Sequence, residues 1–426
     1  MASRSACRVK AILTIMPPSS AFSKPLKPRK SISGNTVPLK MSRIGYPFSF
    51  RKCTTANGCI PLWDTDRQWN LKSCFIKTKN PGQPLYLNLS NTRGAVQLKK
   101  IVIDPFVDVE SGYPVKVNAK IKDIMTKEIG KRFAITGVME PENLEVSEYV
   151  LNGMVTIEKK VGKQGNIYKV NASVFEKASG KVLASAALRV SGFDTTPMDI
   201  YKDSPVYLKG KSYEQHMSSV KRMPNEEVNQ EYQNRLAIKA MLVKGDLLYE
   251  QREFKKSLTY YNQAAGSQTS QPMEVLNGQY TNLAKQEQWA EAEEVYGKLA
   301  AASVHETNDV TSKITFGPNS KQPLANKALQ HNIYMKKIAN LVSANRSCTI
   351  KIIGHCSRTG SATYNDNLSL QRAAWIQKQM ATYAPEIMNK SQILGRGFRE
   401  NIVGTGADDL TDEIDRRVEF RFNNCN

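Results

Sequence analysis

The sequence has few of the residues that build metal sites and disulfide scaffolds. Its 426 residues include four histidines and seven cysteines, with no CxxC, no HExxH and no closely spaced pair of histidines. We therefore expect neither a structural zinc site nor a zinc hydrolase. The cysteine count is low and odd, so only isolated disulfides are expected, and these only if the chain is exported.

Long apolar runs and catalytic motifs are also missing. No stretch of 18 or more apolar residues occurs, so no transmembrane helix is predicted. The sequence has no phosphate-binding loop and no recognisable set of nucleophile, base and orienting residue. We therefore predict no catalytic residue, no bound metal and no cofactor, and we expect that the protein is not an enzyme.

Acidic residues are absent from the beginning of the chain, because the first one is Asp64. The first 60 residues carry 11 Lys or Arg, which is about half of the net charge of +21. This basic leader, residues 1–63, is predicted to be disordered or a targeting segment. A secretory signal, an organelle transit peptide and a start codon placed too early all remain open.

The other 366 residues carry a net charge of only +10. Nucleic-acid binding would need aromatics between the basic residues or a reading motif, and the sequence offers neither, so no nucleic-acid partner is predicted. A chain of this length predicts two to four domains.

Residues 98–197 predict a small α+β domain, after an irregular stretch with short strands at 64–97. A strand closed by Pro105, an amphipathic helix that ends at Gly130 and four further strands give the order β-α-β-β-β-β. The domain faintly resembles accessory domains of bacterial envelope lipoproteins, such as those that assemble curli or activate peptidoglycan synthases. Asp104 and Asp108 follow strand ends and are interpreted as solvated turn residues rather than as a site.

Residues 225–303, which follow a linker at 198–224, predict helical repeats. Two helix–turn–helix segments align at a 35-residue offset, with small residues at Ser257 and Ala292 and aromatics one turn later. They resemble tetratricopeptide repeats, whose period is 34 residues. Such a segment can offer a concave surface to a partner protein, or it can serve as a helical spacer between two end domains.

Residues 311–425 predict a βαβαββ domain with its helices on one face of a sheet. Strands are expected at 313–316, 348–353, 393–397 and 415–422. Two helices lie between the first three strands, and the apolar face of the first comprises Leu329, Ile333, Ile338, Leu341 and Val342.

Several separately placed motifs lie in this domain. In chain order they are Gly354-His355 with Gly360, then Asn365, Leu368-Ser369 and Arg372-Ala373, then Gly395-x-Gly397, and finally Arg416-Arg417-Val418-Glu419. Together they resemble the OmpA-like peptidoglycan-binding domain, whose pattern is a strand followed by G-H-T-D-x-x-G, N-x-x-L-S-x-x-R-A, G-x-G and R-R-V-E. The resemblance covers about a quarter of the chain.

The resemblance implies a binding site for a peptidoglycan stem peptide. Arg372 would hold the carboxylate of the peptide bidentately, near the start of a helix whose dipole favours an anion. Asn365 would donate and accept hydrogen bonds at the rim of the loop. Strand alternation places only one of Arg416 and Arg417 on the ligand side, and we favour Arg417.

One position departs from the family pattern. The acidic residue that pairs with the ligand ammonium is Ser357 here, and the threonine before it is Cys356. A serine accepts a hydrogen bond but brings no charge, and charge-assisted bonds are roughly twice as strong as neutral ones. Binding is therefore expected to be weaker, directed to a different stem peptide or lost, in which case Arg372 would only pair internally, for example with Asp366.

Cysteines flank two of the predicted strands. Cys348 opens the central strand and Cys425 follows the last one, so the two thiols meet if these strands are antiparallel neighbours. We predict a disulfide between them in an oxidising compartment. His355 and Cys356 are adjacent, but neighbouring strand residues point to opposite faces, which argues against a catalytic pair.

These features predict a non-enzymatic protein of a Gram-negative-type envelope, located in the periplasm or peripherally at the outer membrane. The C-terminal domain would bind peptidoglycan, while the repeats and the N-terminal domain would recruit envelope proteins. The alternative function is a scaffold of an envelope or secretion assembly whose OmpA-like domain has lost peptidoglycan binding. The alternative location is an organelle that the leader addresses.

Overall fold

The computed structural model describes the chain from residue 98 onwards, with short gaps. The described residues are 98–129, 133–160, 166–191, 193–267, 272–310, 312–401, 413 and 415–425. The predicted leader at 1–63 and the irregular stretch at 64–97 lie outside the described residues.

The N-terminal region is built around a mixed six-stranded sheet. Its elements are β1 (Lys99–Ile103), β2 (Val107–Asp108), α1 (Asn118–Ile129), β3 (Phe133–Val138), α2 (Pro141–Glu145), β4 (Tyr149–Lys160), β5 (Asn166–Glu176) and β6 (Val182–Ser191). The strand order is β3-β1-β4-β5-β6, and β2 pairs with β4. Strands β3, β1 and β4 are parallel, whereas β4, β5 and β6 are antiparallel. The predicted α+β architecture is confirmed, and β2 and α2 are additional short elements.

The stretch 198–224, predicted as a linker, contains two helices, α3 (Asp199–Lys202) and α4 (Lys211–Val220). Ile200 and Met217 are among their buried residues. The segment is therefore helical and packed against neighbouring elements and is not an extended linker.

Five helices follow, and they pack pairwise. They are α5 (Gln230–Asn234), α6 (Leu236–Glu250), α7 (Phe254–Gly266), α8 (Met273–Lys285) and α9 (Trp289–Thr307). The ring of Tyr261 on α7 fits against two glycines, because a Cβ at Gly278 would lie 1.9 Å from the ring and one at Gly245 would lie 2.7 Å from it. The two helical hairpins match the predicted helix–turn–helix segments, and their assignment as tetratricopeptide repeats stays a prediction.

The C-terminal region has the predicted βαβαββ order with one extra short helix. Its elements are β7 (Asp309–Val310), α10 (Ala328–Ala344), β8 (Thr349–Gly354), α11 (Ala362–Tyr383), α12 (Ile387–Lys390), β9 (Ser391–Gly395) and β10 (Val418–Asn423). The strand order is β7-β10-β8-β9, with β10 antiparallel to β7 and β8 and with β8 parallel to β9.

Several details of this region differ from the prediction. The last strand begins at Val418 and not at residue 415. The edge strand is the two-residue β7, while residues 313–316 make only isolated bridges, from Lys313 to Val418 and from Phe316 to Pro323. Leu329 was predicted on the apolar face of α10 but is 51% exposed. It lies in the first turn of that helix, before the buried residues, which begin at His331.

A single hydrophobic core joins the helical segment to the C-terminal region. Tyr280 on α8 donates to the Tyr334 hydroxyl on α10 across 3.0 Å, and the Tyr296 hydroxyl on α9 lies 2.5 Å from Ser312 Oγ. At the other end, Leu236 and Ala240 of α6 are buried in the cluster that covers the N-terminal sheet. Among the described residues, none of the helices has the length and apolar character needed to cross a membrane.

Candidate functional site

Glycines bring helix α11 close to the C-terminal sheet and so position the candidate site. A Cβ at Gly354, the last residue of β8, would fall 1.9 Å from the carbonyl oxygen of Ser369 on α11. Gly397 has a φ of +54°, which favours glycine, and its N–H donates to Ser369 Oγ across 2.9 Å. The G-H and G-x-G motifs therefore hold the loop after β8 and the turn after β9 against one helix.

Arg372 is the most deeply buried of the predicted site residues, at 1% exposed. Each of its three nitrogens donates to a main-chain carbonyl: Nε to Ser320 O at 2.8 Å, Nη1 to His355 O at 2.8 Å and Nη2 to Gly317 O at 3.1 Å. The guanidinium carbon lies 5.0 Å from the centre of the Phe316 ring. The turn at 317–320 thus lies against the group that is expected to bind the ligand carboxylate.

The position of Arg372 along its helix corrects one expectation. Helix α11 begins at Ala362, capped by the Ser361 side chain, and runs to Tyr383. Arg372 therefore lies almost three turns into the helix. The prediction that the helix dipole assists it was wrong, since that effect fades within the first turn.

Asn365 and Ser357 are also buried, at 3% and 6% exposed. Asn365 Nδ2 donates to Thr359 O at 2.9 Å and to Ser361 O at 3.1 Å, so its amide shapes the loop that precedes α11. Ser357 follows Cys356, whose Sγ lies 3.3 Å from Arg372 Nη1. The structure therefore places Asn365, the 356–357 segment and Arg372 around one loop.

Asp366, the proposed internal partner of Arg372, is instead paired elsewhere. Its carboxylate oxygens accept from Arg399, with 2.7 Å between Asp366 Oδ2 and Arg399 Nη2. The Arg399 guanidinium holds the pKa of Asp366 below its usual value.

Arg416 and Arg417 lie just before β10, which begins at Val418, so the strand alternation expected for them does not apply. Their side chains nevertheless contact different neighbours. Arg416 Nε donates to Phe316 O at 3.0 Å, next to the Gly317 carbonyl that accepts from Arg372. Arg417 Nε donates to Glu419 Oε1 at 2.9 Å, away from that turn. Arg416 and Arg372 therefore donate to carbonyls of adjacent residues, Phe316 and Gly317. Arg417, which was favoured for the ligand, does not contact this segment in the hydrogen bonds described.

Arg417 belongs to a buried ionic cluster with Glu419 and His355. His355 Nε2 lies 3.5 Å from Glu419 Oε2. Burial alone would raise the pKa of Glu419, but His355 and Arg417 beside it hold that pKa well below its usual range. Burial lowers the pKa of His355. Cys356 Sγ instead lies 3.4 Å from Asn365 O, so the adjacent histidine and cysteine face different partners.

The two flanking cysteines meet at the end of the central strand pair. Strands β8 and β10 are antiparallel, with Thr349 opposite Asn423. The Cys348 and Cys425 sulfurs are bonded at 2.02 Å, with their Cα atoms 4.3 Å apart. That this bond forms in the exported protein stays a prediction.

A second polar cluster lies between the N-terminal sheet and helix α6. Asp108, on β2, is only 6% exposed, so its interpretation as a solvated turn residue was wrong. The same interpretation of Asp104 was wrong, because Asp104 is only 1% exposed. Its Oδ2 accepts from Lys239 Nζ at 2.7 Å and from the Tyr232 hydroxyl at 2.5 Å. His216 Nδ1 lies 3.0 Å from Lys239 Nζ, and its Nε2 lies 3.0 Å from Gly153 O.

The neighbouring charge keeps the Asp104 carboxylate ionised. Burial alone would raise the pKa of Asp104, but the charge of Lys239 beside it holds that pKa well below its usual range. The partners of Asp104 are more than 100 positions away along the chain. Local sequence patterns therefore gave no signal for it.

Comparisons with known proteins identify the C-terminal region. Residues 315–413 match the family described as the OmpA family.

Among solved structures, the C-terminal domain of Helicobacter pylori MotB is 20% identical with a TM-score of 0.22, over 26% of this chain and 82% of that one. The peptidoglycan-associated lipoprotein from Burkholderia pseudomallei is 14% identical with a TM-score of 0.22, over 26% of this chain and 88% of that one. The OmpA-like domain of FopA1 from Francisella tularensis is 18% identical with a TM-score of 0.22, over 27% of this chain and 73% of that one. No curated protein matches the chain. By the family match, residues 315–413 form a domain of the OmpA family.

Proposed function

We propose that the protein binds peptidoglycan non-covalently through its C-terminal domain and so anchors an envelope assembly to the cell wall. The observation that carries the proposal is the OmpA-family match of residues 315–413, with Arg372 at the family position for the stem-peptide carboxylate. In this proposal the helical segment and the N-terminal domain recruit partner proteins. The location is the periplasm or the periphery of the outer membrane, and the alternative is an organelle reached through the leader.

Binding requires that a carboxylate replaces main-chain acceptors of Arg372. Two of these acceptors, Gly317 O and Ser320 O, belong to one turn, which is closed by a 3.2 Å bond from Ser320 N to Gly317 O. A carboxylate accepts more strongly than a neutral carbonyl does, because charge-assisted hydrogen bonds are roughly twice as strong. We therefore expect the 317–320 turn to open when the ligand enters, while His355 O keeps its bond to Arg372.

Ser357 limits the strength of this binding. In the family pattern this position carries the acid that pairs with the ligand ammonium, whereas serine offers only a neutral acceptor without an opposite charge. The expected ligand is a stem peptide held mainly by its carboxylate.

A sedimentation assay on purified sacculi tests the proposal. The wild type is expected to co-sediment at low salt, and Arg372→Lys, which keeps the charge but loses the planar fork, is expected to reduce the bound fraction by about ten-fold. Circular dichroism establishes that the variant is folded. A folded Arg372→Lys protein that binds like the wild type would move the site away from Arg372.

A gain-of-function variant sharpens the test. Ser357→Asp restores the charge that the ligand ammonium needs, so it should increase binding. Ser361→Asp is the matched control, because it adds the same charge at the exposed cap of α11, where aspartate is well accepted. Equal effects of the two variants would show that only net charge matters.

The second candidate function is a scaffold whose C-terminal domain no longer binds the wall. The burial of Arg372 at 1% exposed, with carbonyls on all three nitrogens, favours it. Absence of wild-type sedimentation at low salt, combined with binding by Ser357→Asp, would establish the scaffold and contradict the anchor.

A further inference from the structure

A cavity lies where the N-terminal sheet meets helices α4 and α6, far along the chain from the OmpA-family domain. Its volume is about 80 Å³. Arg235 and Lys239 contribute cationic groups to its lining, and Leu208, Leu242 and Val243 contribute apolar walls. The side chains of Arg235 and Lys239 are 17% and 22% exposed, so the cavity is partly open to solvent.

The two cations lie on one face of one helix. Arg235 caps α6 and Lys239 is one turn further on, with a 2.9 Å backbone bond from Lys239 N to Arg235 O. Side chains four residues apart on a helix are neighbours, with about 5–6 Å between their Cβ atoms. A single small anion can therefore reach both.

Arg235 has a donor without a partner, and Lys239 has one N–H group that makes no hydrogen bond, with its ammonium 4.8 Å from the centre of the Tyr232 ring. Arg235 Nε is buried without a hydrogen-bond partner, although its Nη1 donates to Ser212 and its Nη2 lies 3.8 Å from Glu274 Oε2. Lys239 has three N–H groups, and its hydrogen bonds go to Asp104 and His216. A buried donor without an acceptor costs about 1–3 kcal/mol, and an oxyanion in the cavity would remove that cost for Arg235.

The acids of the cavity restrict the charge of the ligand. Asp104 and Glu274 line it and are paired with the two cations. Asp246 accepts from Tyr201 and Tyr261, and burial raises its pKa to about 7. A doubly charged phosphate would meet two carboxylates at close range, whereas a monoanion is favoured by the leftover donors.

The size and walls of the cavity restrict the remainder of the ligand. A cavity of about 150 Å³ lined by aliphatic residues accommodates benzene, so a volume of 80 Å³ suits a smaller molecule. The leucine and valine walls favour a short alkyl chain over a sugar or a second charged group.

We propose that this cavity is a binding site for a short aliphatic carboxylate of about the size of propionate, held by Arg235 and Lys239 with its alkyl end against Leu242 and Val243. The site does not depend on the proposed peptidoglycan binding, since its residues belong to the N-terminal sheet and the helices.

Titration of the full chain with sodium propionate tests the site, with saturation-transfer NMR for contact and calorimetry for affinity. Propionamide, which has the same shape without the charge, is the matched probe. Propionate should bind, and propionamide should bind at least about ten-fold more weakly because it loses the charge-assisted bonds. No saturation transfer to propionate, or equal binding of the two probes, would overturn the proposal.

Two variants locate the site. Arg235→Gln removes one cation and should weaken propionate binding about ten-fold, and Val243→Phe should abolish binding by filling the cavity. Arg222→Gln is the control, because Arg222 is exposed outside the cavity lining, and it should change affinity less than about two-fold. Circular dichroism identifies folded variants, and Arg235→Gln and Val243→Phe perturb different parts of the site. Wild-type affinity in either folded variant would contradict the assignment.

Discussion

Arg372 in the C-terminal domain and Lys239 in the helical segment are both cations with little solvent access, but different groups surround them. Main-chain carbonyls surround the Arg372 guanidinium, whereas the Lys239 ammonium contacts the Asp104 carboxylate at 2.7 Å. Carbonyls belong to the backbone and cannot be removed by mutation, while a carboxylate can. The contacts of Arg372 can therefore be removed by mutation only at the arginine, whereas the Lys239–Asp104 pair can be broken at either residue.

The largest effect is expected from Asp104→Ala. It leaves the Lys239 ammonium without its carboxylate in a partly buried site, and breaking a buried ion pair costs about 3–5 kcal/mol. Urea denaturation followed by circular dichroism measures the loss in the free energy of unfolding.

The double variant Asp104→Asn/Lys239→Met is the control for this change. It removes both charges and keeps similar volumes, so it should recover most of the loss. A double variant as unstable as Asp104→Ala would show that shape, and not charge, determines the stability of this cluster.

The next largest loss of stability is expected from removal of the Cys348–Cys425 disulfide. This bond lies in the same domain as Arg372, and the described residues around Lys239 contain no disulfide. The Cys348–Cys425 bond closes a loop of 77 residues, and Cys348→Ser should destabilise the oxidised protein by about 2–4 kcal/mol. Cys348→Ser/Cys425→Ser should be no less stable than the single variant and should not respond to reductant. Mass spectrometry of unreduced peptides from exported protein measures this bond directly. Free thiols at both positions would contradict the prediction.

A smaller effect is expected from Arg372→Lys. Lysine cannot reach three separate carbonyls with a planar fork, so acceptors near the turn at 317–320 lose donors, at a cost of about 1–3 kcal/mol. Thermal and urea unfolding measure it. Arg399→Lys is the matched control, because it alters the exposed pair with Asp366 and should leave stability unchanged. If both variants lost the same free energy of unfolding, the buried hydrogen bonds of Arg372 would contribute no more to stability than the exposed Arg399–Asp366 pair.

The smallest effect at acid pH is expected from Asp246→Asn, and this effect grows as the pH rises towards 7. Burial raises the pKa of Asp246 from 3.8 to about 7, so the folded state binds a proton that the unfolded state releases between these values. The stabilisation is complete below pH 3.8 and is lost as the pH rises through about 7. Asparagine should therefore match wild-type stability at acid pH and exceed it above pH 7, as urea midpoints from pH 4 to pH 8 would show. A variant that follows the wild-type pH profile would contradict the assignment to Asp246.

The sequence predicted the C-terminal fold well because its motifs describe local backbone requirements. Gly354 and Gly397 mark places where α11 approaches the sheet, and such requirements are readable without knowing the partner. The prediction failed at 313–316, where apolar alternation indicated a strand. There the chain instead forms isolated bridges and then the turn that contacts Arg372.

The second site could not be predicted in this way. Asp104 follows a strand end, and turn residues in that position are usually solvated. Its burial results from Tyr232 and Lys239, which fold over it from helices far along the chain. Arg372 was found because a family pattern marks its position, but the 317–320 turn against it is a tertiary contact that no spacing within the motif encodes.

The tyrosine contacts between α8, α9 and α10 have a mechanical consequence. Tyr280 and Tyr296 are buried in the same core as Tyr334. The helical segment and the OmpA-family domain therefore pack against each other through a shared hydrophobic core. A force applied to the C-terminal domain would then be transmitted to the helices through this side-chain packing. If the C-terminal domain binds the cell wall as proposed, its orientation on the wall would also set the orientation of the helices.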